Sequence, residues 1–203
     1  MSNTFSWSEF LAGSGIAALI QAGIKYYQTK AAKKVNLSEN THDIALVHEM
    51  MEYVVDHTLF DRFMIFEGED SAGVLSVGKR LYVTAHYEKF DRFNEKLESI
   101  KHLVQRWEAD HQYYRMYSEM LGNEKVIIRT KEMPDSKLKN IYLTQDVKYS
   151  EIGHLMTTKD NGSVFYYSLA STVSDIMDVE TRMIADSKIS SIKAIFEKHK
   201  KFY

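Results

Sequence analysis

The chain has 203 residues, 44% of them hydrophobic, a formal net charge of -2 and no cysteine. The missing thiols exclude disulfide scaffolds, thiolate metal sites and cysteine nucleophiles, and the charge balance gives no overall bias toward nucleic acid. One proline, no low-complexity linker and no repeat of fixed period leave a single globular domain after an unusual N-terminal segment.

That segment comes first. Phe10 to Ile24 is a run of 15 residues without a charge, and Lys25, Lys30, Lys33 and Lys34 follow it. A bilayer span needs about 20 mostly apolar residues. Phe5 and Trp7 before the run, and Tyr26 and Tyr27 after Lys25, stand where interfacial rings belong. Glu9 and Gln21 count against a span. Ser14, Ala18 and Ala22 recur every fourth residue with Gly15 and Gly23 beside them, a spacing that lets helix backbones approach closely.

Residues 1–34 are therefore expected to form a hydrophobic helix with a basic flank, and 35–203 a single α+β domain. The helix is either a membrane anchor in contact with lipid or an oligomerisation segment buried between copies of the chain. A secretory signal is disfavoured, because the basic residues follow the apolar run instead of preceding it. In an inner-membrane span, the lysines hold the domain on the cytoplasmic side. The alternative is a soluble cytoplasmic assembly.

After a polar joint at 35–41, Asn40 or Thr41 caps a predicted helix from His42 to His57, with Ile44, Val47, Met51 and Val54/Val55 on one face. Phe60 to Glu67 reads as a strand and Gly68 to Ser71 as a turn. Strands follow at Val74–Val77 and Arg80–Tyr87, where Leu81, Val83, Ala85 and Tyr87 alternate with more polar neighbours. Phe93, Leu97, Ile100, Val104, Trp107, His111, Tyr114, Ser118 and Leu121 recur at alternating intervals of four and three. That heptad spacing predicts one long helix ended by Gly122 and Asn123, its seam packed on the domain's own sheet or, alternatively, in an intermolecular coiled coil. A strand is expected at Val126–Thr130, and a strand or short helix at Leu138–Val147 after Pro134. Ile152–Thr157 and Ser163–Ala170 form a hairpin about Lys159-Asp160-Asn161-Gly162, since Asn-Gly accepts positive φ. A last helix covers Asp178 to Lys201, acidic early and basic late, which complements its dipole.

Chemistry-bearing residues are sparse. His42, His48, Glu49, Glu52 and His57 form the densest set of potential metal ligands, and His48 and Glu52 share a helical face. No HExxH or second pair accompanies them, so no metal site is assigned and the face is read as solvated. Glu67, Glu69 and Asp70 lack the spacing of a calcium loop. No GxSxG, P-loop, GxGxxG or nucleophile–base pair is present, and an enzyme is not expected. Asp61-Arg62 is either an ion pair in a ligand pocket or a structural tie between strand and helix. The aromatic group that includes Tyr82, Tyr87, Trp107, Tyr113, Tyr117, Tyr166 and Tyr167 either lines a pocket for a flat ligand or packs the core. Asp61, Arg62, Tyr82, Tyr87 and Tyr166 are the candidate ligand-binding residues.

The order of elements from His42 to His199 resembles that of GAF-type sensory domains, relatives of PAS. Leu59 to Phe66, with Asp61-Arg62 at its centre, resembles the start of the first GAF strand. Tyr82 to Glu88 is similar to the second strand and Gly162 to Leu169 to the last ones. The resemblance implies a central antiparallel sheet with the first and last helices packed together behind it and often used for dimerisation. It further implies a non-enzymatic domain that binds a ligand or partner and acts through self-association as a homo-oligomer. GAF domains that attach bilins or reduce methionine sulfoxide use cysteines, which are absent here, so no cofactor is expected. In architecture alone, a short apolar segment before one soluble domain also resembles single-span phage holins, although those place the domain outside the inner membrane and these lysines favour the inside. A third alternative is a structural subunit whose N-terminal helix is buried by neighbouring copies.

Overall fold

The computed structural model describes residues 41–70, 80–158, 162–173, 176 and 178–199. The N-terminal segment with Ser14, Gly15, Ala18, Ala22 and Gly23, the strand expected at Val74–Val77 and the turn residues Lys159–Asn161 lie outside them. The chain divides into compact units Met1–Ala45 and Leu46–Tyr203, and the sheet, both cores and the candidate site lie in the second.

A first helix, α1, runs through residues 41–57. Its buried stripe is Val47, Met51, Val54 and Val55, and it starts one turn later than expected, because Ile44 is exposed. Among the described residues, six strands form one antiparallel sheet in the order β3-β2-β1-β6-β5-β4. They are β1 Arg62–Asp70, β2 Leu81–Phe90, β3 Trp107–Glu108, β4 Lys125–Arg129, β5 Tyr149–Thr157 and β6 Val164–Ser171. Helices α2 His111–Asn123, α3 Lys137–Thr144 and α4 Val179–His199 complete the fold. The fold is α+β with helices on both faces of the sheet, as expected. The expected hairpin is present as β5 and β6, paired from Tyr149↔Ser171 to Thr157↔Val164, with Gly162 at φ 68°.

Strand alternation divides the buried residues between two cores. On one face Phe63, Ile65, Phe165, Tyr167 and Leu169 pack with Met51 and Val54 of α1 and with Ala185, Ile189 and Ile192 of α4. On the other, Met64, Phe66, Val83, Ile152 and Tyr166 pack with Tyr113, Tyr117 and Met120 of α2 and Tyr142 of α3. Side chains cap the helices: Asp110 accepts from the Tyr113 amide, Ser136 from Lys139 and Asp178 from Thr181.

The long helix expected from Phe93 to Leu121 does not form. Only its C-terminal part is helical; before it come the short strand β3 and an irregular cover over the second core with a 3-10 turn at Lys101–Leu103. Leu97, Ile100 and Val104 are buried as the spacing demands, but Phe93 is 97% exposed. Two local features stop a helix. Arg106 sits at φ 51°, and Asp110 begins α2 by capping it.

The expected turn at Gly68 is also strand, and β1 continues to Asp70. Glycine is needed there for close approach: a Cβ at Gly68 would lie 2.7 Å from the Tyr117 hydroxyl oxygen. Gly153 faces a tighter case, with Tyr167 ring atoms 2.4 Å from where a Cβ would stand, whereas Gly122 in α2 has nothing within 4 Å. Gly153→Ala is therefore expected to cost ~1–3 kcal/mol as overpacking. Gly122→Ala should add ~0.5–1 kcal/mol through helix propensity. Urea midpoints of the two variants check both signs.

Candidate ligand site beneath α2 and α3

The most unusual side chain on the second face is Arg62, which opens β1 and is 2% exposed. Its Nη2 donates to the Glu98 carbonyl and, at 2.9 Å, to Gln145 Oε1; its Nε lies 3.4 Å from Glu88 Oε1. Burial pushes the guanidinium pKa down and the Glu88 carboxylate pushes it back up. The face of the Phe90 ring lies 5.6 Å from the guanidinium carbon.

Glu88 and Gln145 also hold the covering segment. Glu88 accepts from the Ser99 hydroxyl at 2.6 Å and from the amides of Ile100 and Lys101 at 3.0 and 3.1 Å. Gln145, just past α3, accepts the Glu98 amide at 2.9 Å. This is a further reason why 94–106 is not a helix. Its amides find side-chain acceptors instead of the carbonyls four residues back.

Beside Arg62 lies a small, partly open cavity of about 30 Å³ between the sheet and its cover. Met64, Phe66, Val104 and Trp107 make its walls apolar, and Tyr113, Tyr142 and Ser168 add hydroxyls. These hydroxyls are bonded in short chains. Tyr113 and Tyr166 meet at 2.7 Å, and Tyr142 donates to Ser150, which lies 3.2 Å from Ser168. Burial raises the pKa of Tyr113, Tyr142 and Tyr166, so all three hydroxyls are neutral at ordinary pH. The volume suits a water molecule or two. The aromatic side chains occupy the rest of the space between the layers.

The five residues expected to bind a ligand are not brought together. Arg62 and Tyr166 lie on this face. Tyr87 packs on the opposite one, edge-on to His48 at 5.1 Å. Tyr82 alternates with Leu81 and Val83 and so also points away from the cavity, with the Arg106 guanidinium 5.4 Å from its ring. Asp61 does not pair with Arg62; its Oδ2 accepts from the amide and hydroxyl of Thr172 and so fixes the end of β6. The helical face considered for a metal is engaged elsewhere: Glu52 accepts from Lys89 at 2.9 Å, and His57 stacks on Tyr53.

Sequence reasoning missed Glu88, Gln145 and the serines of β5 and β6. Alternation does not separate a polar residue on the buried face of a strand from one on the exposed face when both faces are covered. It also missed a second buried charge, Glu151, which is 0% exposed on the α1/α4 face. Glu151 accepts from the Tyr167 hydroxyl at 2.9 Å and from Arg182 of α4, and Lys125 Nζ lies 3.2 Å away. The predicted strand begins at Ile152, one residue past Glu151, so no local signal marked this carboxylate.

No model of a known protein family matches the chain, and no curated protein matches it in sequence. Solved structures do match. The GAF domain/HD domain protein from Geobacter sulfurreducens aligns with a TM-score of 0.54 and 8% identity over 82% of this chain and 99% of that one. The GAF domain of a two-component sensor histidine kinase from Bacillus halodurans gives 0.51 and 10% over 78% and 95%. The photoproduct state of a GAF domain from Synechocystis sp. PCC6803 gives 0.51 and 6% over 77% and 95%. The chain has the GAF fold.

Two predictions follow from the electrostatics. Glu88→Ala leaves Arg62 buried without its counter-charge and should cost ~3–5 kcal/mol. In chemical denaturation, the double change Glu88→Ala with Arg62→Met should recover part of that loss. On the other face, the bond from His86, at 2.7 Å, lowers the Glu67 pKa. A lowered carboxylate pKa contributes stability above the unfolded value of 4.5 and loses it as pH falls through the folded value. His86→Phe should therefore flatten the acid limb of stability against pH and leave the neutral plateau's shape unchanged.

Proposed function

We propose that this chain is a non-enzymatic binding domain of sensory type, carried on an N-terminal anchor or oligomerisation segment. The observation that carries the reading is the cavity at Arg62, roofed by a cover that one buried charge cluster latches to the sheet. A small ligand enters when the Glu98–Lys101 stretch lifts from Glu88 and Gln145. It then meets the guanidinium and the hydroxyls of Tyr142 and Ser168 at the cavity floor. The altered positions of β1 and β6 pass through the sheet to α4, which Glu151 and Arg182 tie to β5. The GAF fold supports this reading, since the matched structures include domains named as parts of a sensor histidine kinase and of an HD-domain protein. A cavity of about 30 Å³ is too small for a tetrapyrrole without opening of the cover.

Among the described residues no helix is long and apolar enough to cross a membrane. The uncharged run at residues 10–24 lies outside them, and its composition is what supports an anchor. In this reading the span holds the domain on the cytoplasmic side of the inner membrane and brings copies together through Ser14, Ala18 and Ala22.

Two measurements test the proposal. Native mass spectrometry of protein purified without refolding should show a bound small molecule that Ser168→Trp, which fills the cavity, abolishes. No adduct, together with a melting temperature indifferent to a metabolite panel, overturns the ligand-binding role. Full-length protein should pellet with membranes and a chain starting at Val35 should not, with a reporter fused after Tyr203 active in the cytoplasm. Periplasmic activity would reverse the topology, and a soluble full-length oligomer would make the segment an assembly element.

A further inference from the structure

The Arg62 cavity has its charges in balance and its hydrogen bonds out of balance. Among the described residues, Arg62 is the one charged residue on the cavity wall. Its side chain is 3% exposed, and the Glu88 side chain that balances it is 4% exposed. One cation thus faces one anion where water screens little.

The donors are in excess. A guanidinium carries N–H groups on Nε, Nη1 and Nη2. Among the described residues the hydrogen bonds of Arg62 leave from Nη2 alone, to the Glu98 carbonyl and to Gln145 Oε1. Nε has none, with Glu88 Oε1 3.4 Å away. The neighbouring acceptors are taken. Gln145 Oε1 also receives the Glu98 amide, and Glu88 receives the Ser99 hydroxyl and the amides of Ile100 and Lys101. Further along β1, where Phe66 pairs with Tyr166, a single bond joins the Tyr113 and Tyr166 hydroxyls although each carries a proton. That pair keeps a donor as well, and Tyr113 stands on the cavity wall.

An occupant therefore has to supply acceptors and bring no net charge. A carboxylate beside Glu88 would leave a buried surplus of negative charge. A hydrocarbon would leave the donors unmet, and an amine would add donors to an excess of them. The rest of the wall, including Met64, Phe66, Ile100, Val104 and Trp107, is apolar and suits carbon. A volume of about 30 Å³ keeps that carbon short, since each added group must push back Ile100 and Val104 of the cover.

We propose that the ligand of this cavity is a short neutral carbonyl compound, a ketone or an ester, whose oxygen accepts from Arg62 and whose apolar arms lie against Met64, Phe66 and Val104. The inference rests on the ligand-binding reading above and names the class of ligand which that reading leaves open. It gives Glu88 a role besides holding the cover. As the resident counter-charge, Glu88 excludes acids.

The test titrates the full chain at neutral pH with butanone and with butyrate, matched in carbon number, and follows binding by ligand-observed NMR. Butanone should bind saturably, lower its carbonyl stretching frequency in the infrared and lose both effects in Ser168→Trp. Butyrate should bind at least about tenfold more weakly. Glu88→Gln keeps an acceptor for the amides of the cover and removes the charge, so it should bring butyrate level with butanone or above it. The contrast on the unmodified chain decides the matter even where that variant does not fold. Butyrate binding as tightly as butanone to the unmodified chain overturns this inference and leaves the cavity a site for acids. A folded Glu88→Gln variant that still prefers butanone tenfold overturns it too. So does butanone that does not bind, whereas the ligand-binding reading itself falls only when purified protein also carries no small molecule.

Discussion

A guanidinium buried at the start of the central strand has to be neutralised and hydrogen-bonded, because an unpaired charge in that position would cost several kcal/mol. Arg62 meets this requirement with three groups from three places: the carboxylate of Glu88 on β2, the amide oxygen of Gln145 after α3 and the Glu98 carbonyl of the cover. Two of these acceptors are shared. Glu88 and Gln145 turn their remaining lone pairs to the amides of Glu98, Ile100 and Lys101. One charge thus sets where the cover lies, and the cover roofs the cavity. The arrangement also explains why a segment with helical spacing is irregular: its backbone donors were already claimed.

The opposite face solves the same problem with the signs exchanged. There the buried group is a carboxylate, Glu151, and its partners are Arg182 on α4, Lys125 on β4 and the Tyr167 hydroxyl. The Arg182 guanidinium lies 5.7 Å from the centre of the Phe60 ring and 5.6 Å from that of Tyr149, so aromatic surface covers the pair. Buried pairs add little net stability, but removing one member is severe, and they fix register and orientation. Arg62 fixes the cover over one face of the sheet, and Arg182 fixes the last helix on the other. β1, β6 and β5, adjacent in the sheet, lie between the two.

Much of the fold was legible in the sequence, because the hydrophobic pattern is a local consequence of which face is buried. α1, the β5–β6 hairpin and α4 follow from periodicity, an Asn-Gly turn and charge placement. The errors had physical causes. Leu97, Ile100 and Val104 are buried at the predicted spacing, yet burial at intervals of three and four does not require a helix when an irregular chain lies across a sheet. Gly68 read as a turn because nothing local reveals that Tyr117, far along the chain, occupies its missing Cβ.

The candidate site was less legible for the same reason. The sequence by itself determined that Arg62 and Tyr166 lie in a GAF-like sheet, that no thiol chemistry is open to this chain and that an uncharged run with a basic flank precedes the domain. Only the tertiary structure decided that Asp61 bonds to Thr172 instead of Arg62, that Tyr82 and Tyr87 face away from the cavity, and that Glu88 and Gln145 meet Arg62. Which face a strand residue takes depends on register and bulges, here the shift between Ile65 and Phe66 against Tyr87 and Ala85. A partner 83 residues away, as Gln145 is from Arg62, is chosen by packing and not by any local preference.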